Sequence, residues 1–308
     1  MWSFKISDKF TSSLASISEL SVDSKEEKTD KYDFLIQKYS PIIYLAEDEP
    51  FTPINFNTYI DQAALKNTKT QKVFKPDTPF NASTFGKWLL DYPEIQSGDY
   101  TLFLPQGKNS PVVKNNSIPF RLDDIPLYVH TWTPPYTPED SKEVYISYTH
   151  MYAYNAAPKL FDCLPLTKWA HFSDLEHLVV HTDRYGEVME IYTSRHDGGV
   201  WLQPQECGWS QSHPVLFSAR GSHATYNTMG QHWRYFSVPD VCEMGYRWFS
   251  KNLIRVYDEV EAMPEELRWP FFKGTLGDGE IDNFPLKPWW QGREKAAPYG
   301  AWCSKDQY

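Results

Sequence analysis

The run from Val144 to Tyr154 constrains the fold of this chain more than any other stretch. It reads Val-Tyr-Ile-Ser-Tyr-Thr-His-Met-Tyr-Ala-Tyr, and β-branched and aromatic residues fit best on a pleated, buried surface. The run therefore predicts a long central strand. A second apolar, β-branched run ends at His181, the loop 183–186 follows, and residues 187–194 again have strand character. This order predicts a β-hairpin beside the central strand.

The frequency of turn-forming and aromatic residues predicts the fold class. The chain contains 23 Pro and 15 Gly, which indicate many turns, and 12 Trp, 20 Tyr and 18 Phe, which favour strands over helices. We expect a mostly β protein, an antiparallel β-sandwich with long loops and a few short helices. Residues 1–30 are rich in Ser, Lys, Glu and Asp and are expected to form a flexible extension. Residues 31–308 are expected to form one sandwich domain.

Some segments have weaker patterns. Residues 57–120 predict a strand or two with long connections, Leu253 begins a predicted last strand, and residues 264–270 predict a short helix with proline in its first turn. The acidic turn from Glu47 to Glu49 is interpreted as solvated rather than as a cation site.

Charge and cysteine spacing exclude several classes of protein. A net charge of −10 argues against nucleic acid as a partner, because phosphate binding needs a concentrated basic surface. No apolar run approaches the roughly 20 residues that cross a bilayer, and the first residues lack a signal-peptide pattern. A cytoplasmic protein is expected. The four cysteines lie far apart without a C-x-x-C pair, so they are expected to be reduced and buried rather than bridged.

A cluster of potential metal ligands comes directly before the second apolar run. His171, Asp174 and Glu176 have H-x-x-D-x-E spacing. On a strand the period of two would aim both carboxylates at one face. Imidazole together with carboxylate suits zinc, manganese or iron, whereas carboxylate alone favours magnesium or calcium. The alternative is a set of polar residues at the solvated edge of a strand.

Two later strands end in similar residues. One finishes at Arg195 and His196, and the other is followed by Arg220 and His223. If the strands are neighbours, these ends converge on one rim, where the histidines could move a proton and the arginines could pair with an anionic group. Ordinary turn residues and surface salt bridges are the alternatives.

Further side chains were assigned by their setting. Tyr152, Asn155 and Tyr226 could line a pocket, although aromatic residues of strands usually belong to the core. His177 and His181 alternate with the ligand face and are interpreted as structural. A nucleophilic role for Ser222 is not expected, because no G-x-S-x-G turn surrounds it.

Five motifs follow one another along the chain. They are Tyr39-Ser-Pro-Ile-Ile-Tyr-Leu-Ala-Glu-Asp-Glu, Tyr152-Ala-Tyr-Asn155, His171-x-x-Asp174-x-Glu176-His177, Ser194-Arg-His196-x-Gly198-Gly199 and Ser218-Ala-Arg-Gly-Ser-His223-Ala-x-Tyr226. In this order they resemble the vacuolar protein sorting-associated protein 62 family, whose plant and fungal relatives have no assigned function. The resemblance covers roughly residues 32–240.

The central motif is also similar to the heptapeptide of the necrosis-inducing, cytolytic toxin family. In that family the corresponding His, Asp and Glu hold a divalent cation in a β-sandwich, and the cation helps to engage a sphingolipid head group. The resemblance implies that His171, Asp174 and Glu176 are ligands here and that Asp162 completes the site. Leu175 stands where both families usually have Trp, which puts the local packing and a lipid-facing role in doubt.

Two classes of function follow, with a divalent ion (Mg, Mn, Ca or Zn) as the expected cofactor. The first is an enzyme in which the cation polarises a small apolar metabolite and His196 or His223 moves a proton. The second is a binding protein in which the cation and Arg195 and Arg220 hold a glycan, phosphate or lipid head group. A trafficking role is a third possibility that no motif supports. The oligomeric state stays open.

Overall fold

A computed structural model describes residues 25–75, 79–114, 121–133, 143–156, 159–160, 164–165, 170–196, 198–235, 238–277 and 284–285 of the chain. Asp162, Cys163, Cys303 and most of the predicted N-terminal extension lie outside these residues. Within them, no helix is long and apolar enough to span a bilayer.

Four helices and twenty strands make up the described part of the chain. The helices are α1 (Lys25–Lys38), α2 (Phe56–Ile60), α3 (Ala82–Asp91) and α4 (Pro111–Lys114). The first ten strands are β1 (Ile42–Leu45), β2 (Pro53–Ile54), β3 (Ala64–Asn67), β4 (Tyr100–Phe103), β5 (Leu127–Trp132), β6 (Val144–Asn155), β7 (Lys159–Leu160), β8 (Leu164–Pro165), β9 (His171–Thr182) and β10 (Val188–Arg195). The others are β11 (Gly198–Leu202), β12 (Gly208–Ser210), β13 (His213–Ser218), β14 (Thr225–Tyr226), β15 (Gly230–Tyr235), β16 (Val238–Cys242), β17 (Tyr246–Trp248), β18 (Leu253–Arg255), β19 (Thr275–Leu276) and β20 (Phe284–Pro285).

The largest sheet, sheet II, has the strand order β11-β10-β9-β6-β5-β18, with β2 paired to β6. Its centre is the predicted strand β6, which is buried along its whole length. The predicted hairpin is also present, because β9 and β10 pair antiparallel across the turn 183–187. Strands β6 and β9 pair along almost their full length, from Val144 opposite Thr182 to Asn155 opposite His171. This long pairing fixes which residues reach each end of the sheet.

Sheet I has the order β12-β13-β1-β17, with β14 paired to β13. It packs against one face of sheet II through a shared apolar core. The core residues from sheet I are Ile43, Leu45, Leu216 and Trp248, and those from sheet II include Val129, Ile146, Tyr148, Leu178, Val180 and Ile191. The predicted β-sandwich is therefore confirmed. Most strand pairs are antiparallel, but β1 with β13, β5 with β18 and β4 with β19 are parallel.

A third layer covers the other face of sheet II. Helices α2 and α3 and a small sheet III, in the order β20-β19-β4-β3, pack there on a second apolar core. Trp269 lies at its centre, with its ring 4.0 Å from that of Phe56 and 4.9 Å from that of Tyr128. The strand or two expected within residues 57–120 correspond to β3 and β4.

Several local expectations need correction. Helix α3 was not predicted, although Asn81 and Thr84 form a capping box at its start. The helix expected at 264–270 is instead two short 3₁₀ turns, Glu265–Leu267 and Trp269–Phe271. Of the cysteines, Cys207 and Cys242 are free and buried, as expected.

Candidate functional site

The predicted site residues meet at one edge of the sandwich because of the strand directions. Asn155 ends β6, and β9 starts beside it at His171 in the opposite direction. Strand β10 runs antiparallel to β9 and ends at Arg195. In sheet I, β13 ends at Ser218 and leads into the turn that carries His223. The ends of both sheets therefore converge, although β10 and β13 belong to different sheets and are not the neighbouring strands that the sequence analysis considered.

His171 and Asp174 lie on the same side of β9, although regular strand geometry would separate them. Residues three apart on a strand point to opposite faces. Ser173, between them, has a positive φ of 64°, which departs from strand geometry and lets the two side chains meet. His171 Nε2 lies 3.9 Å from Asp174 Oδ1.

Asp174 is a buried carboxylate with several partners. Its Oδ2 accepts hydrogen bonds from His223 Nδ1 at 2.8 Å and from Asn155 Nδ2 at 3.1 Å. Burial alone would raise the pKa of Asp174, but the hydrogen bond from His223 and the charges of His171 and His223 outweigh it and lower the pKa. Asp174 is therefore ionised in the folded protein.

His223 lies between two carboxylates in the interior. Its Nε2 is 3.4 Å from Glu49 Oε1, within ion-pair reach although not aligned as a hydrogen bond. Its ring stacks on Tyr152 with the centroids 3.6 Å apart. Burial lowers the pKa of His223, but Asp174 and Glu49 outweigh burial and raise the pKa to about 9. His223 is an internal cation that offsets the charge of both acids.

Glu49 corrects the interpretation of the acidic turn as solvated. Its side chain is fully buried, and its carboxylate accepts hydrogen bonds from the backbone N–H groups of Phe51 and Gly221, both at 2.9 Å. Asp48 does face solvent. Glu49 joins the end of β1 to the turn that carries His223, so it belongs to the site.

Glu176 is the second buried acid on β9. Its Oε2 accepts a hydrogen bond from Ser194 Oγ, which itself accepts from the His177 N–H at 2.9 Å. Burial, followed by the charge of Asp174, raises the pKa of Glu176 well above its ordinary value. The two acids on β9 therefore oppose each other's ionisation.

Asp240 connects the two strand ends. Its carboxylate accepts hydrogen bonds from His196 Nε2 at 2.5 Å, from Ser222 Oγ at 2.6 Å and from the Tyr226 hydroxyl at 2.8 Å. Burial would raise the pKa of Asp240, but these hydrogen bonds and the charge of His196 lower it. The sequence analysis missed this residue, although Val238, Asp240 and Cys242 are the buried positions of β16. The available signal was an acidic residue on the same face of a strand as the apolar residues Val238 and Cys242.

Both predicted arginines already have protein partners. Arg220 Nη1 contacts both carboxylate oxygens of Asp48, at 2.9 and 3.2 Å. Arg195 lies over the Tyr226 ring at 4.4 Å, and its Nε donates to the Thr225 carbonyl at 3.2 Å. Neither arrangement directs a guanidinium group at the carboxylates of β9.

The site contains much of the strained backbone found in the described residues. Five of these residues other than glycine have positive φ, and Ser173, His196 and His223 are three of them, at 64°, 56° and 60°. Such conformations cost about 1–3 kcal/mol each and persist where the surrounding structure holds them. Three of the five therefore lie in one cluster, and such clusters are a feature of active sites and ligand-binding sites.

The expected metal ligands come together only in part. Among the residues that the structure describes, no three His, Cys, Asp or Glu side chains are placed so that together they could hold an ion. The donor types nevertheless fit a divalent cation. The 3.9 Å between His171 Nε2 and Asp174 Oδ1 is too long for a hydrogen bond, yet it suits two ligand atoms that each lie roughly 2.0–2.6 Å from one ion. Asp162 cannot be placed because it lies outside the described residues.

Comparison with known proteins identifies the family. The model of the family "Vacuolar protein sorting-associated protein 62" matches residues 7–238. The chain belongs to this family. The Saccharomyces cerevisiae protein of that name is 22% identical over 298 residues, which cover 81% of this chain and 60% of the yeast protein. The chain thus spans less than two thirds of the length of this relative.

Solved structures with some likeness are described as toxins or as sugar complexes. "NLPPya in complex with glucosamine" is 12% identical with a TM-score of 0.41, covering 84% of this chain and 87% of that one. "Toxin fold for microbial attack and plant defense" is 12% identical with a TM-score of 0.39, covering 85% and 88%. Because these TM-scores are low, the fold is assigned from the strand topology described above and not from this likeness.

Proposed function

We propose that this member of the Vps62 family is a divalent-cation-dependent binding protein for hydroxyl-bearing head groups such as sugars. His171 and Asp174 would supply the first two ligands of the ion, and the Glu176 side chain would move to join them. The observation that supports this proposal is the 3.9 Å between His171 Nε2 and Asp174 Oδ1, a distance that suits two ligands of one ion, on a strand that carries a second buried acid, Glu176. A divalent cation there would offset the charge of the carboxylates. When bound, the cation would supply a positive centre that hydroxyl oxygens can coordinate.

The exposure of the histidines favours binding over catalysis. The side chain of His171 is 24% exposed, whereas those of His223 and Glu49 are fully buried. A proton-transferring group must come within hydrogen-bond reach of its substrate. His223 instead donates a hydrogen bond to Asp174 from the protein interior, and His196 is hydrogen-bonded to Asp240. The enzyme hypothesis therefore receives less support from the geometry.

The engaged arginines favour a neutral ligand. Recognition of phosphate usually relies on guanidinium groups that are free to form paired hydrogen bonds. Arg220 is bound to Asp48, and Arg195 to the Thr225 carbonyl. Hydroxyl groups need no such partner, because oxygen ligands of a bound cation are sufficient. A sugar head group fits these conditions better than a phosphate.

A glycan array tests the proposal. The full-length protein is applied with added calcium, magnesium, manganese or zinc, and in a parallel arm with EDTA. We expect retention on a subset of glycans with at least one cation and loss of retention in EDTA. Asp174→Asn and His171→Ala should lose it, whereas Asp91→Asn, at an exposed position on α3, should not. Retention that is unchanged by EDTA, or no retention on any glycan, would contradict the proposal.

A further inference from the structure

A cavity lies at the opposite end of sheet II from the candidate site. It has a volume of about 430 Å³ and is lined by residues at the end of β5, after β18 and on α1. Trp132, in its wall, pairs with Tyr145 near the start of β6, whereas Asn155 ends that strand. At about 3.3 Å per residue, the Tyr145 end of β6, where the cavity lies, is roughly 33 Å from the Asn155 end, where the candidate site lies. The cavity is therefore a separate site.

The wall of the cavity includes a buried polar group. The His130 side chain is 2% exposed, and its Nε2 lies 2.9 Å from Asp258 Oδ1. Its ring stacks on that of Trp132 with the centroids 5.5 Å apart. Asp258 is more exposed, at 38%, so its carboxylate can also reach a ligand. His130 thus fixes an accepting carboxylate at the cavity wall.

The charged side chains that the structure describes around the cavity are mostly acidic. Arg255 lines it, but Arg255 Nη1 lies 2.8 Å from Asp33 Oδ1, which offsets the charge of the guanidinium. Asp258 and Glu259 then add two carboxylates to the lining. Among the residues that the structure describes, these three acids outnumber the one arginine, and His130 lies against Asp258; this balance favours a cation over an anion.

We propose that this cavity binds a small organic amine in its protonated form. The ammonium group would donate hydrogen bonds to Asp258 and Glu259, and the apolar part of the ligand would lie against Tyr32, Trp132 and Tyr257. Aromatic rings add attraction for a cation within about 6 Å. A pocket of this size with a few convergent polar groups is typical of small-molecule sites. The site is independent of the proposed cation site.

Three phenols of similar size and different charge test the proposal by calorimetry. Tyramine is a cation, 4-ethylphenol is neutral and 4-hydroxyphenylacetate is an anion. We expect tyramine to bind the full-length protein at least ten-fold more tightly than either of the others, with or without EDTA. Equal affinity for all three, tighter binding of the anion, or no binding of tyramine at millimolar concentration would overturn the proposal.

Variants separate recognition by charge from simple filling of the cavity. Glu259→Gln changes an exposed residue, and it should weaken tyramine binding at least five-fold. Asp33→Asn removes the carboxylate that offsets the charge of Arg255. It should therefore raise the affinity for 4-hydroxyphenylacetate and lower the affinity for tyramine. The control Asp91→Asn should change neither affinity. Circular dichroism checks that each variant is folded, and unchanged tyramine binding by folded Glu259→Gln and Asp33→Asn would contradict the proposed role of the carboxylates.

Discussion

Replacing Asp240 with asparagine should destabilise the protein strongly, because this carboxylate joins the ends of two strands. It accepts hydrogen bonds from His196, Ser222 and Tyr226 at 2.5, 2.6 and 2.8 Å. Hydrogen bonds to a charged group contribute about 1.5–3 kcal/mol each, and a buried donor that loses its partner costs about 1–3 kcal/mol. An asparagine oxygen can still accept part of this set. We therefore expect Asp240→Asn to lower the free energy of unfolding by about 2–4 kcal/mol.

The assay is urea unfolding at pH 7 and 25 °C, followed by circular dichroism, with the exposed Asp91→Asn as control. The control should change the free energy of unfolding by less than about 0.5 kcal/mol, as surface substitutions usually do. A loss below about 1 kcal/mol in Asp240→Asn, or a loss no larger than in the control, would refute the role of Asp240 as the connection between the strand ends.

The pH dependence of the free energy of unfolding, compared between wild type and Asp240→Asn, gives a second check. The pKa of Asp240 is lower in the folded protein than its usual value of 3.8. Its stabilising contribution is therefore present above about pH 4 and is lost as the pH falls through the folded pKa. The stability difference between wild type and Asp240→Asn should be widest above about pH 5 and should narrow on acidification. A difference that stays constant down to about pH 3 would contradict this explanation.

Three further substitutions, the first with a matched control, test packing and helix capping elsewhere in the fold. In Gly245→Ala the added Cβ would overlap the Glu47 backbone, so we expect the free energy of unfolding to fall by about 2–3 kcal/mol. In the control Gly208→Ala the atom nearest to the added Cβ is 3.5 Å away, so urea unfolding should show a clearly smaller change. Trp269→Ala empties the centre of the outer core and should cost about 3–5 kcal/mol by the same assay; a cost below about 1 kcal/mol would show that this core is not tightly packed. Asn81→Ala removes the capping box of α3 and should cost about 1 kcal/mol in urea unfolding, whereas no change would mean that the cap does not stabilise the helix.

Local sequence patterns predicted the framework of the site well. The β6 run and the β9–β10 hairpin were predicted because strand character and turn residues are local properties. The sequence placed His196 and His223 just after two strands, but their approach depends on two different sheets packing together, which the sequence analysis did not consider. Helix α3 was missed even though its capping box is also local, because the mixed composition of residues 57–120 obscured the helical pattern.

The remaining part of the site depends on contacts between distant segments. Glu49 reaches His223 only because β1 and β13 pair in parallel, so both strands end on the same side of sheet I. No pattern near Glu49 indicates this pairing. The positive φ of Ser173, which brings His171 to Asp174, also depends on the surrounding structure rather than on the sequence spacing. The sequence patterns therefore pointed to residues of β9 and of the two strand ends that lie close together in the structure, but they missed Glu49 behind His223 and Asp240 between the strand ends.

Calorimetric titration of the metal-stripped, full-length protein with calcium, magnesium, manganese and zinc tests the central claim most directly. We expect at least one of these ions to bind at a single saturable site. The affinity should fall at least ten-fold in Asp174→Asn and His171→Ala and stay unchanged in Asp91→Asn. At 100 times its dissociation constant, the ion should stabilise the wild-type fold by about 2.7 kcal/mol. Binding of equal strength in wild type and Asp174→Asn, or no binding of any of the four ions, would contradict the claim.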